Sequence, residues 1–397
     1  MNEITILRLD NFGRGICYIN DKITFVKNAL PDEIVNIKIT KETKKYNEAE
    51  VTKYIKTSNK RVKEPCPLFN ICGGCNLEHL SYDDTISFKE DKLNHIFKKY
   101  YNQNIEVIKS DKSYNYRNKI TLKVINGKIG YFEEESHKLV EIKDCLLAKE
   151  SIRNIFANLK DFHVKNGEII IRSNYNDELL IWIKTKDQIT PNLENLNNKK
   201  IVGIIVNDKT IYGESNFVEI INNKYYKVSY DSFFQINPFI CSKIFDLLND
   251  YLTEDEIILD LYCGVGTLGI AVGNHVNKVY GIEIIPNAIL NAISNSKVNN
   301  LKNAYYLLGK SEESIDKIND KISTIIVDPP RSGLDKHTLN TILNFKPNKI
   351  IYVSCDPMTL SRDLQTLTKE YNIILLKGFD MFPNTAHCES VCVLERK

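Results

Sequence analysis

The chemistry this chain could do is concentrated in a few short runs. The first is Ile350-Ile351-Tyr352-Val353-Ser354-Cys355-Asp356-Pro357, preceded by Asp328-Pro329-Pro330-Arg331. An apolar, β-rich run delivers one cysteine to the exit of a strand. Asp356 then reads as a helix N-cap and Pro357 as the first helical residue. A thiol there is expected to be exposed and to face the positive end of a helix. Both features favour the thiolate over a free thiol of pKa ~8.5. Cys355 is therefore a candidate covalent nucleophile; the plainer alternative is a cysteine that simply packs at the end of a core strand.

A second run, Asp260-Leu261-Tyr262-Cys263-Gly264-Val265-Gly266-Thr267-Leu268-Gly269, reads as a strand, a glycine-rich turn and the start of a helix. Its glycines let backbone approach a ligand closely. Glu283 then ends the next strand, where a carboxylate can accept hydrogen bonds from both ribose hydroxyls of a nucleoside. The turn is D-x-x-C-G-x-G-T rather than G-x-G-x-x-G, which favours S-adenosylmethionine over a dinucleotide. An ordinary tight strand-to-helix turn is the alternative.

A third group is thiol-rich. Cys66, Cys72 and Cys75 form C-x5-C-G-G-C, and Cys145 is the natural fourth member. Four thiolates suit zinc or a [4Fe–4S] cluster, and spacing alone leaves both open. Radical chemistry on S-adenosylmethionine is disfavoured, because it needs an iron left open by three cysteines. Cys17, Cys241, Cys263 and Cys388 read as small apolar residues and His387 as a turn histidine.

These residues need a scaffold. Residues 1–58 alternate short β patterns (Ile4–Leu9, Gly15–Ile19, Lys22–Val26, Glu33–Thr40, Glu48–Ile55) with turns such as Asn20-Asp21, which suggests an OB-like barrel. Tyr82 to Tyr100 reads as a helix with Ile86, Leu93, Ile96 and Phe97 on one face. Residues 114 to 228 are β-rich but irregular. From about residue 235, strands alternate with helices at Pro286–Asn299, Asp335–Asn344 and Met358–Lys369, predicting a mostly parallel, doubly wound α/β sheet. Ligands of such sheets sit at the carboxyl ends of the strands, where Cys263, Glu283, Asp328 and Cys355 all fall. The expected division is 1–58, a central β-rich cysteine-cluster domain over 59–228, and a Rossmann-like domain over 229–397.

Composition is that of an ordinary soluble globular protein, 26% charged and 43% apolar. Residues 1–125 carry 22 Lys/Arg against 16 Asp/Glu, and the remainder 31 against 35, so the basic excess lies at the N-terminal side. That is a weak pointer to nucleic acid. No stretch approaches the ~18 apolar residues of a membrane span. Ten cysteines without a basic-then-apolar leader argue for metal or catalysis over disulfides, and for a cytoplasmic location. No obligate protein partner is evident.

Phe233-Phe234-Gln235-Ile236-Asn237-Pro238, Asp260–Leu268, Gly281–Glu283, Asp328–Arg331, Val353–Pro357 and Phe382–Val391 occur together and in this order. In this the chain resembles the RNA 5-methyluridine (uracil-C5) methyltransferases of 23S rRNA and tRNA. Its N-terminal segment resembles the TRAM domain of ribosomal RNA members, and the cysteine pattern matches their iron–sulfur type. The resemblance implies a methyltransferase fold and contacts from Gln235, Tyr262, Glu283 and Asp328 to S-adenosylmethionine. Gln235 and Asp328 could equally reach the uracil edge. It also implies a [4Fe–4S] cluster on Cys66, Cys72, Cys75 and Cys145, with Cys355 as nucleophile and Glu389 as general base. Two positions depart from the common pattern: Asp356 stands where Asn is usual, and Asn384 where His is frequent. Asp356 should cap equally well but raise the thiol's pKa.

Uracil C5 is a poor nucleophile, which explains why these residue types are needed. A thiolate adding to C6 gives C5 carbanion character, and a base must then remove the C5 proton so that the thiolate can leave. The target must leave its stack, by flipping or from a single-stranded loop. Arg331 could meet an RNA phosphate or form an ion pair. The expected RNA is 23S rRNA, with tRNA possible; the rival from another class is a non-catalytic RNA-binding module. An amino-group methyltransferase fits less well, because no aromatic follows Asp328-Pro329-Pro330.

Overall fold

The computed structural model describes residues 3–134, 136–189, 191 and 200–397. The first strand pattern is broken in two, Ile4–Thr5 and Arg8–Leu9. Ile4–Thr5 pairs with Ile34–Glu42, and Arg8–Leu9 with Gly15–Ile19. One segment thus joins both edges of a six-stranded sheet whose interior holds Ile6, Cys17, Val26, Val35 and Ala49. Asn20 and Asp21 both take positive φ, 48° and 61°, the geometry of a two-residue hairpin turn that suits these residue types.

The helix that follows runs from Tyr82 to Phe97, three residues shorter than its pattern predicts. Ser81 caps it, its hydroxyl accepting from the Asp84 N–H at 3.1 Å. Its buried face holds Ile86, Leu93 and Phe97, and also Lys89, fully buried and paired with the buried carboxylate of Asp380. The irregular central region resolves into a seven-stranded sheet, antiparallel except where Leu179–Thr185 meets Ile201–Val206 in parallel.

The C-terminal sheet is built from β1 (Ile257–Leu261), β2 (Lys278–Glu283), β3 (Ala304–Leu308), β4 (Thr324–Val327), β5 (Lys349–Ser354), β6 (Tyr371–Phe379) and β7 (Glu389–Arg396). Their order is β3-β2-β1-β4-β5-β7-β6, with Val107–Ile108 added beside β6. The first five run parallel, as the strand–helix rhythm predicts. β7 inserts antiparallel between β5 and β6, reached by a loop rather than a helix. Alternate residues face opposite cores: Ile258, Val279, Ile326 and Ile351 on one side, Leu259, Ile282, Ile325 and Ile350 on the other. Burial on both faces explains why these strands are continuous apolar runs. Leu360, Leu364 and Leu367, spaced by four and three along the helix Pro357–Leu367, cover the second face.

Candidate active site

The register of two strands sets the centre. Ser354, the last residue of β5, lies opposite Ser390 of antiparallel β7. Cys355 follows Ser354 and Glu389 precedes Ser390, and the Glu389 charge acts on the Cys355 thiol. Directly opposed positions such as Ser354 and Ser390 bring Cβ atoms within about 5.5 Å, so the candidate nucleophile and base emerge near each other at one end of the sheet. Because β7 is antiparallel, its first residue shares that end with the carboxyl termini of the parallel strands. Tyr262 (after β1), Glu283 (end of β2) and Asp328 (after β4) gather there too. Gln235 joins them, its amide donating to the Asp328 carboxylate at 3.2 Å.

Cys355 sits in a stiff turn. The Asp356 N–H donates to Ser354 Oγ at 3.2 Å, and that hydroxyl donates to the Asp356 carbonyl at 3.0 Å. The Asp356 carboxylate accepts from the N–H groups of Met358 (2.8 Å) and Thr359 (3.3 Å), so it is the N-cap its position predicts. Those N–H groups are consequently taken up by Asp356. The expectation of an activated thiolate is corrected here. Burial, then the negative charges of Glu389 and Asp328, push the Cys355 thiol up to about 11, with Arg331 opposing and Asp356 adding slightly.

Glu389 is buried, and burial with the neighbouring Asp328 charge raises its pKa well above the usual carboxylate range. Asp328 is itself raised to about 7 by burial. Two carboxylates sharing a desolvated site hold a proton between them near neutrality. Arg331 is exposed and forms no ion pair among the described residues, although its charge acts on Cys355 and Glu389. His387 is an exposed turn residue, its N–H donating to Thr385 Oγ1 at 3.3 Å. Cys17, Cys241, Cys263 and Cys388 are buried, as small apolar residues should be.

The glycine-rich turn has the shape a nucleoside cofactor needs. Gly264 has φ 56°, and nothing stands within 4 Å of where a Cβ would be, leaving open space above the backbone. Tyr262 holds φ 63°, costly for an aromatic residue, with its hydroxyl 3.4 Å from Thr338 Oγ1. The Glu283 carboxylate braces the turn, accepting from the N–H groups of Gly264 (3.1 Å), Ile284 (2.8 Å) and Ile285 (2.9 Å). It keeps further lone pairs for ribose hydroxyls. Buried Asp260 accepts from the Gly269 N–H at 2.9 Å and leaves its other oxygen without a partner.

Four positioning elements escape sequence reasoning. Ser354 shapes the turn of Cys355. Asn118 donates its side-chain amide to the Gln235 carbonyl at 3.1 Å and its N–H to the Ile236 carbonyl at 3.0 Å. Exposed Ile284 follows Glu283, and exposed Leu308 is its register partner on β3. Asn384 takes φ 63° and bonds the Ser113 carbonyl at 2.7 Å, a backbone role Asn fills well. Only the last has a local signal, because Asn is the commonest non-glycine residue in left-handed turns.

Cys66, Cys72, Cys75 and Cys145 come together from two distant segments to line one cavity of about 260 Å³. Among the described residues, no three His, Cys, Asp or Glu side chains gather tightly enough to hold a single metal ion. Arg117 and Tyr131 line the cavity; among the described residues the buried Arg117 Nε has no hydrogen-bond acceptor, and the buried Tyr131 hydroxyl lies beside the Cys145 thiol. An anionic tetrathiolate cluster would supply the acceptor that Arg117 Nε lacks. Asn76, next to Cys75, links the cavity to the loop before Glu389: its side-chain oxygen accepts from the Ala386 N–H at 2.8 Å.

A Rossmann-like sheet with a glycine-rich first turn, an acidic second strand and an antiparallel last strand defines a methyltransferase. The family model for tRNA (uracil-5-)-methyltransferase matches residues 81–397, and the TRAM domain model matches residues 2–52. An uncharacterized RNA methyltransferase of Clostridium acetobutylicum is 34% identical, covering 99% of this chain and 96% of that protein. One from Listeria innocua is 33% identical over 100% and 97%. The crystal structure of Pyrococcus abyssi tRNA (uracil-54, C5)-methyltransferase with S-adenosyl-L-homocysteine superposes with a TM-score of 0.82 at 27% identity, covering 99% and 100%. The chain belongs to the tRNA (uracil-5-)-methyltransferase family, with a TRAM domain at its N-terminus. It is an S-adenosylmethionine-dependent RNA uracil-C5 methyltransferase. No helix among the described residues is long and apolar enough to cross a membrane.

Proposed function

We propose that this enzyme methylates C5 of a uridine in 23S rRNA through a covalent bond from Cys355 to C6. The observation that supports the mechanism is the β5–β7 register, whose last pair, Ser354 and Ser390, adjoins Cys355 and Glu389. The Cys355 thiol gives its proton to water, and the resulting thiolate adds to C6 as the C5–C6 electron pair moves to C5. S-adenosylmethionine, when bound, supplies the electrophilic methyl group. Glu389 then takes the C5 proton, and sulfur leaves as the C5–C6 double bond returns. For that step the proton shared by the pair would rest on Asp328, so that Glu389 meets the C5 proton as a carboxylate of raised basicity. Gln235, hydrogen-bonded to Asp328, would hold the uracil edge or the cofactor at the same end of the sheet.

Cys66, Cys72, Cys75 and Cys145 would hold a [4Fe–4S] cluster in the cavity they line. With its anionic partner in place, Arg117 is satisfied, and the loop carrying Asn76 is fixed against the loop that leads to Glu389. The N-terminal six-stranded sheet would serve as an OB-like RNA-binding unit.

Ribosomal RNA is favoured by the resemblance of the TRAM segment and cysteine pattern to 23S rRNA enzymes. The full-length likeness to a tRNA uracil-54 methyltransferase supports tRNA as the second reading. One experiment separates them. Incubate the protein and S-adenosylmethionine with 5-fluorouridine-substituted 23S rRNA or tRNA, and run a denaturing gel. Fluorine cannot be removed as a proton, so the enzyme should remain attached to its own substrate, and Cys355→Ala should abolish the band. No adduct with either RNA, from protein that binds the cofactor, would sink the covalent mechanism.

A further inference from the structure

The loop Asp10–Arg14 holds an aromatic ring in an unusual state. Phe12 is 64% exposed, yet the backbone beneath it is tightly fastened. The Asp10 carboxylate accepts from the N–H groups of Phe12 (2.9 Å) and Arg14 (2.8 Å), and from Arg14 Nε at 2.8 Å. The Phe12 carbonyl accepts from the Asn76 amide at 3.0 Å. Gly13 takes φ 85° where a Cβ would strike Leu77 at 2.7 Å, so the tip is pressed against the loop that follows Cys75. Behind the ring, the Arg14 guanidinium lies 5.6 Å from the Phe12 centroid and 4.5 Å from that of Phe25.

The tip also reaches the catalytic centre. Asn11 donates its amide to the Met358 sulfur at 3.8 Å, and Met358 lies in the first turn of the helix that starts after Cys355. Met358 is itself 54% exposed. A rigid, cation-backed aromatic face beside an exposed thioether is thus held at the mouth of a site that must receive an unstacked uridine. Removing that uridine from its stack deprives its neighbours of a stacking partner. Aromatic faces replace such partners without regard to sequence, and an adjacent Arg strengthens the contact.

We infer that Phe12 is a stacking platform for an RNA base flanking the target uridine, so that the N-terminal domain shapes the entrance to the active site. This inference rests on the reading that the site takes an unstacked uridine from RNA. Base–aromatic stacking is worth enough that losing it weakens binding about tenfold or more.

The test compares wild type with Phe12→Ala, Phe12→Leu and Phe12→Trp, using unmodified transcripts of 23S rRNA and tRNA. Phe12→Ala and Phe12→Leu should raise KM for the methylated transcript about tenfold or more, the change falling on KM rather than kcat. Phe12→Trp should restore KM, and its added fluorescence should be quenched when RNA binds. A KM within about twofold of wild type for Phe12→Ala, a Phe12→Leu protein as good as wild type, or an unquenched Trp signal would overturn the platform. If wild type methylates neither transcript, the substrate reading fails, while the fluorescence titration with both RNAs still decides the platform.

Discussion

Asp356 offers a clean perturbation, because Asp356→Asn removes one charge beside the Cys355 thiol and leaves the helix cap in place. The side-chain oxygen of Asn can accept from Met358 and Thr359 as the carboxylate does, and Asn and Asp are equivalent caps to within a few tenths of a kcal/mol. The thiol titrates near 11, so about one molecule in a thousand carries a thiolate at pH 8. A half-exposed charge one residue away is worth about 0.7 kcal/mol at the high effective dielectric of such a place, or roughly half a pH unit. Asp356 ranks behind burial, Glu389 and Asp328 among the causes that raise the thiol. The substitution should therefore lower the pKa by about that amount and make Cys355 roughly threefold more reactive at pH 8.

The assay is carbamidomethylation of Cys355 by iodoacetamide in ligand-free protein, followed by peptide mass spectrometry from pH 6.5 to 10. Wild-type rates should rise about tenfold per pH unit across the range, because thiolate is gained as pH climbs toward the raised pKa. The gain in Asp356→Asn should shrink in about 1 M salt, where charges are screened within about 3 Å. A wild-type rate that levels off below pH 9 would show the resting thiol already activated. It would refute the argument that burial and carboxylates outweigh the helix terminus. An unchanged or slower Asp356→Asn would refute the electrostatic part alone.

Other outcomes follow from the same geometry. Glu389→Gln should form the C6 adduct and methylate it but fail to release it, so a denaturing gel should show attached protein on ordinary uridine RNA and turnover should fall about 10²- to 10⁴-fold. Lys89→Met leaves the buried Asp380 carboxylate uncompensated and should cost about 3–5 kcal/mol in urea unfolding, whereas Lys89→Met with Asp380→Leu should recover most of it. Cys145→Ser, in protein purified without oxygen, should lose the visible absorbance and iron content of the wild type while far-ultraviolet dichroism keeps the sheet signal; zinc in place of iron in the wild type would overturn the cluster assignment.

What could be read from the sequence is local, and what could not be read is set by pairing at a distance. The Asp356 cap, the Asn20-Asp21 turn and the apolar stripe of Tyr82–Phe97 each depend on residues within a few positions of one another, and all three are present. The central sheet mixes parallel and antiparallel neighbours, so no short window betrays its order. Lys89 breaks the apolar stripe because its partner, Asp380, lies far along the chain. The state of Cys355 depends on distance in the same way: the helix start is visible in sequence, but Glu389 and Asp328 come from other strands. These facts bear on how the site works. Parallel strands carry residues to one end of a sheet only from their carboxyl termini. The antiparallel β7 delivers a carboxylate there from its first residue, near the thiol. The proposed nucleophile and base would thereby flank the end of one backbone ladder rather than come from two flexible loops. Their closeness would suit action on adjacent carbons of one ring, while burial and the neighbouring carboxylates push the thiol's pKa up.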